Sequence, residues 1–147
     1  MYTVDFDKMT LKEKVLQTFV VSIREINKHG GPQEFFKKYK VGGMYYSKSQ
    51  DPNIENRTET SLPTHPKRLA ECKSCSTIPL LVCADGVWLN GQTIGAEARS
   101  LGGTQSEDDA YNYGKIIGMQ MNENGIDWVL APAIDMYYSR LMIMAAT

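Results

Sequence analysis

Ile78-Pro79-Leu80-Leu81-Val82-Cys83-Ala84-Asp85 is the stretch on which the fold turns. From Ile78 to Ala84 it is apolar without polar alternates, the pattern of a strand buried on both faces in a parallel sheet. It ends abruptly in an acid. Working outward, Pro66 to Cys75 reads as the preceding helix, and a Gly-rich segment follows from Gly86 to Gly103. Ser106 to Asn124 has the marks of a helix: Ser106 as N-cap, Glu107, Asp108 and Asp109 in the first turn, and Gly125 as its stop. Ile126 to Ala131 forms a last strand, which Pro132 ends.

Upstream, Thr10-Leu11-Lys12-Glu13 fits a capping box, starting a short helix with Leu11, Val15 and Leu16 on its buried side. Thr18 to Ile23 is β-branched and aromatic and reads as a strand, although Val15, Phe19, Ile23 and Ile26 also keep helical spacing. Gly30-Gly31 breaks the chain, and Pro32 opens a helix to about Tyr39. Val41 to Tyr46 is a second strand, and the polar residues 47 to 61 form a loop. Helices and strands thus alternate four times, predicting an α/β fold with about four parallel strands. Four strands are half of an eight-stranded barrel, which needs roughly 250 residues, against 147 here.

Composition bounds the function classes. The formal net charge is −1, which speaks against nucleic acid or a membrane surface as partner. Lys37, Lys38 and Lys40 are a solvated helix face. The longest apolar runs fall far below the roughly 20 residues that span a bilayer, and the acidic start lacks the features of a secretory signal. A cytoplasmic location with reduced Cys72, Cys75 and Cys83 is therefore expected. Cys72-Lys73-Ser74-Cys75 has redox or zinc spacing, but with no second pair its cysteines read as ordinary thiols. His29 and His65 fall in turns, and neither carries a metal or triad role.

In parallel α/β folds ligands sit beyond the carboxyl ends of the strands, where Asp85 and Asp135 fall. An ionised carboxylate there can accept from two sugar hydroxyls at once; it can equally cap a loop or the next helix. Trp88 could stack on a sugar face or seal the core. Tyr45, Tyr46, Tyr137 and Tyr138 are open in the same way, as aromatic platforms or packing.

With the strand ending in Asp85, the segments Gly91-Gln92-Thr93-Ile94, Leu101-Gly102-Gly103-Thr104 and Gly125-Ile126-Asp127-Trp128-Val129-Leu130-Ala131-Pro132 follow in order. Leu11-Lys12-Glu13-Lys14-Val15 and Tyr39-Lys40-Val41-Gly42-Gly43-Met44 precede it. Together they resemble the N-terminal (β/α)-barrel domain of glycoside hydrolase family 3, over nearly the whole chain. The resemblance implies the first half of a (β/α)8 barrel from a retaining enzyme acting on terminal β-linked sugars, a β-glucoside or β-N-acetylglucosaminide, without cofactor or metal. It implies that Asp85 grips sugar hydroxyls in the −1 subsite and that Arg140 contacts substrate; Trp88 joins them as a binding residue. It also implies that the nucleophile and the acid/base lie beyond Thr147, so this chain holds no catalytic residue, is inactive alone, and pairs with the remainder of the barrel or with itself. The sequence departs from the family pattern at Trp88-Leu89, at Gly95-Ala96 in place of a Phe-Pro pair, and from Leu141 to Thr147. A non-catalytic sugar-binding or interaction module and an unrelated small α/β protein are the alternatives.

Overall fold

The Thr10 hydroxyl accepts from the Glu13 amide (3.3 Å) while the Glu13 carboxylate accepts from the Thr10 amide (2.9 Å). This reciprocal cap starts α1 (Leu11–Leu16). In the computed structural model, which describes residues 4–47, 50–51, 64–84 and 98–130, the chain continues as β1 (Val20–Ser22), α2 (Ile23–Lys28), α3 (Gly31–Lys38), β2 (Gly43–Tyr45), α4 (Thr64–Cys75), β3 (Leu81–Ala84), α5 (Ala98–Thr104), α6 (Glu107–Glu123) and β4 (Trp128–Val129). The four strands form one sheet in the order β1-β2-β3-β4, every neighbouring pair parallel. This is the expected α/β half-barrel alternation. No helix among the described residues is long and apolar enough to cross a membrane.

Three local readings are corrected. The Thr18–Ile23 strand stops at Ser22, whose hydroxyl accepts from the Glu25 amide (3.3 Å) and starts a helix at Ile23. Strand and helical spacing are thus both realised, in succession. Second, Leu11 and Val15 are not on a buried side: they are 77% and 48% exposed, and of the three only Leu16 packs against the core. Polar anchors set the angle of α1: the Lys40 ammonium pairs with Glu13 (2.5 Å), and the Gln17 amide donates to the Lys40 carbonyl (2.5 Å). Lys40 and the Thr10 cap hold the Glu13 carboxyl well below its usual value, at about 2, so the pair stays ionised at neutral pH. Third, the end of the Gly-rich segment is helical. Ala98 and Leu101 favour α5, and Gly102 and Gly103 fall in its last turn, where their cost is least. His65, read as a turn residue, likewise lies within α4.

The core forms on one face of the sheet. Val21, Met44, Val82, Ala84 and Val129 alternate onto that face and meet Ile26 of α2, Phe35 and Phe36 of α3, Leu69 and Cys72 of α4, and Ile117 and Met121 of α6. Period-two alternation sends the other residues to the opposite, inner face. The register sets them in rows: Val20, Gly43 and Leu81, then Ser22, Tyr45, Cys83 and Trp128. β3 is therefore apolar on both faces, and its inner face is covered only in part, at Cys83, which is 2% exposed. Leu81 is 42% exposed, and Trp128 in the next row is 47% exposed, because the helices of the core all pack on the other side.

The start of β2 is where backbones come closest. The Gly42 amide donates to Leu16 (3.2 Å), the Gly43 amide to Phe19 (3.1 Å), and the Gly42 carbonyl accepts from Leu81 (3.0 Å). A Cβ on Gly42 would lie 2.0 Å from the Gln17 carbonyl oxygen, a distance no side-chain rearrangement relieves. Gly42→Ala is expected to lower stability by on the order of 3 kcal/mol, read as a shifted urea midpoint at unchanged slope; an unchanged midpoint would show that the α1–β2 junction yields.

Candidate functional site

Because all four strands are parallel, their carboxyl ends share one edge, where α/β folds place ligands. β1 ends at Ser22, β2 at Tyr45, β3 at Ala84 and β4 at Val129. Asp85 is the next residue after β3. Asp85, Trp88 and Arg140, with Asp135, Tyr137 and Tyr138, lie outside the described residues.

Of the aromatic residues left open by the sequence, Tyr46 is packing: it is almost wholly buried within the core cluster. Burial, reinforced by the nearby negative charge of Asp51, raises its phenol pKa well above the usual value, so it stays protonated. Tyr45 is half-buried on the inner face, beside Cys83.

What sequence reading missed is a charged network on the same side of the molecule. Asp51 follows β2 in a segment read as a polar loop, yet it is 0% exposed. Its two carboxylate oxygens accept from Arg68 Nε of α4 (3.1 Å) and Asn27 Nδ2 of α2 (3.2 Å). Arg68 Nη2 also donates to the Asn27 side-chain oxygen (2.7 Å), and Nη1 to Glu71 (2.5 Å). A buried carboxylate requires such partners, since an unpaired charge in the interior costs several kcal/mol. The i, i+3 spacing of Arg68 and Glu71 is legible in the sequence; the contacts across 17 and 41 residues are not.

The opposite edge is tied differently. Asp127, just before β4, pairs with Lys73 (2.7 Å) and accepts from the Val82 amide (2.9 Å), clamping α4, β3 and β4 together. A depression lined by Lys73, Ser76, Ile78, Pro79, Leu80 and Asp127 lies there. It is at the amino edge, away from the carboxyl ends of the strands. His29 caps α2, its Nδ1 2.9 Å from the Glu25 carbonyl oxygen. Lys37 and Lys38 are exposed on α3, as read, whereas Lys40 is tied to Glu13.

Cys72 is fully buried in the core, and burial pushes its thiol up to about 12, which keeps it protonated and a poor nucleophile at neutral pH. Cys75 is half-buried at the end of α4, and no disulfide joins the three cysteines.

A family model described as the glycosyl hydrolase family 3 N terminal domain matches residues 10–140. No curated protein and no solved structure matches the chain.

The cysteine environments predict an order of reactivity. In the native chain a thiol-specific disulfide reagent at neutral pH should modify Cys75 and leave Cys72 intact, with all three thiols reacting in denaturant. Equal native reactivity of Cys72 and Cys75, read by peptide mass spectrometry, would contradict a core thiol.

Proposed function

The chain belongs to glycosyl hydrolase family 3 through its N-terminal domain, and on that premise we propose that it is the substrate-holding part of a retaining hydrolase of terminal β-linked sugars. Its four parallel strands are the first half of a (β/α)8 barrel. Asp85 holds hydroxyls of a β-glucoside or β-N-acetylglucosaminide in the −1 subsite, Trp88 stacks on a sugar face, and Arg140 contacts substrate. The observation that supports this reading best is chain order on a defined strand. β3 runs parallel to its neighbours and ends at Ala84, at the edge where such folds bind ligands, and Asp85 is the next residue in the sequence.

The chemistry explains why a carboxylate suits that role. Retaining hydrolysis passes through an oxocarbenium-like transition state, with two further carboxyl groups about 5–5.5 Å apart acting as nucleophile and acid/base. A third, ionised carboxylate that accepts from sugar hydroxyls tightens its hold as positive charge develops on the ring. Asp85 has that binding role here and is neither nucleophile nor acid/base. These 147 residues are accordingly expected to turn over neither nitrophenyl β-glucoside nor the β-N-acetylglucosaminide. In NMR titration with glucose or N-acetylglucosamine, Asp85→Asn should weaken binding on the order of tenfold or more, the scale of one charge-assisted hydrogen bond, at unchanged melting temperature. Turnover that vanishes in Asp85→Asn would make Asp85 catalytic instead, and sugar binding indifferent to the substitution would remove it from the subsite.

The inner face supports a second part of the proposal. Val20, Leu81, Trp128 and Leu130 are each more than two-fifths exposed, and apolar area of this kind drives association. The isolated chain is therefore expected to self-associate, with a dimer as the first species. Sedimentation at micromolar concentration tests this. Leu81→Lys should shift the distribution towards monomer, and a monomeric parent chain would refute it.

A further inference from the structure

The network around Asp51 has an arrangement that burial alone does not demand. Its three central members come from three segments that all stand next to the carboxyl edge. Asn27 is on α2, which starts directly from the end of β1; Asp51 lies just past β2; Arg68 is in the second turn of α4, the helix that returns the chain towards β3. The donors and acceptors close a triangle: Arg68 Nε to Asp51, Arg68 Nη2 to Asn27, and Asn27 Nδ2 back to Asp51. Glu71 holds the remaining guanidinium nitrogen from the same helix. Every edge of the triangle uses a different atom pair, so its members cannot shift independently without breaking a bond.

We infer that Arg68 is a positioning residue for the carboxyl edge, locking the exit of β2 and the start of α4 to α2. Apolar side chains of similar volume would stabilise the same contact as well as a buried ion pair does. What they would not supply is direction. The planar guanidinium presents its donors in a fixed fork, so one orientation of α4 relative to α2 and Asp51 satisfies both of its bonds outside α4. In the first half of a barrel this means that part of the rim is ordered by contacts within the half itself. The functional meaning rests on the sugar-site reading above; the mechanical content rests on the geometry alone.

Hydrogen exchange of the whole chain, followed by mass spectrometry without sugar, tests the inference in Asp51→Asn, Arg68→Lys and Asn27→Ala. Asp51→Asn is isosteric, and Asn27→Ala removes a corner that is only partly buried, so a folded variant is available even if one fails. Exchange in the peptides carrying Asp51 and Arg68 should accelerate tenfold or more beyond any change shared with β3 and α6. Arg68→Lys should behave like the other two variants, because a lysine keeps the charge but cannot make the fork. A uniform rise in all segments would reduce the network to general core stability and overturn the inference. So would unchanged exchange at Asp51 and Arg68, or full protection in Arg68→Lys. No sugar is present, so failure of Asp85-dependent binding and failure of the lock are separate results.

Discussion

The backbone contact at Gly42 and Gly43 is the constraint on which the sheet depends. Within two residues the chain receives α1 from one side and β3 from the other, through amide and carbonyl groups that only a residue without a side chain can bring together. Once Gly42 is seated against Gln17 and Leu16, the register of β2 with β1 is determined. The bond from Leu81 to the Gly42 carbonyl then sets β3, and the bond between the Asp127 amide and the Val82 carbonyl sets β4 in turn. A one-residue slip anywhere in this ladder would exchange the two faces of a strand.

The register gives the two faces their different characters. Helices α2, α3, α4 and α6 contribute to a single apolar layer on one side, with Ile23, Ile26, Met44, Leu69 and Val82 wholly shielded from water. On the other side Val20, Leu81 and Trp128 retain large exposed areas, as expected where the interior rows of a closed barrel would otherwise meet. Parallel pairing also separates the ends of the sheet by role. The amino edge is clamped by Lys73 and Asp127, whereas the carboxyl edge carries the network of Asn27 and Arg68 around the buried Asp51. That second edge is the one proposed above to face the sugar.

Much of this was legible in the residues. The caps at Thr10, Ser106 and Gly125 are local chemistry: each rests on a side chain or a backbone conformation within a few positions of the helix end, and each is found in place. The apolar run ending at Ala84 and the order of strands and helices were legible for the same reason. The family resemblance, carried by several motifs in order, agrees with the match over residues 10–140. The candidate sugar residues Asp85, Trp88 and Arg140 were legible only as positions after strands and in motifs.

Local periodicity and capping therefore determined, from the sequence alone, most of the helices and strands and that the strands run parallel, whereas the helix starts at Ile23 and Ala98 were not read. Tertiary structure alone decided which apolar residues are covered and where buried charge resides. Leu11 and Val15 have the spacing of a buried face but remain exposed, because Lys40, far along the chain, anchors α1 through Glu13 and Gln17. Asp51 sits in a polar stretch yet is buried, because a carboxylate can leave water only when donors surround it, and its donors Asn27 and Arg68 are brought together by the fold. Capping and periodicity act over a few residues and are written in the chain. Burial and ion pairing depend on what arrives from elsewhere in it.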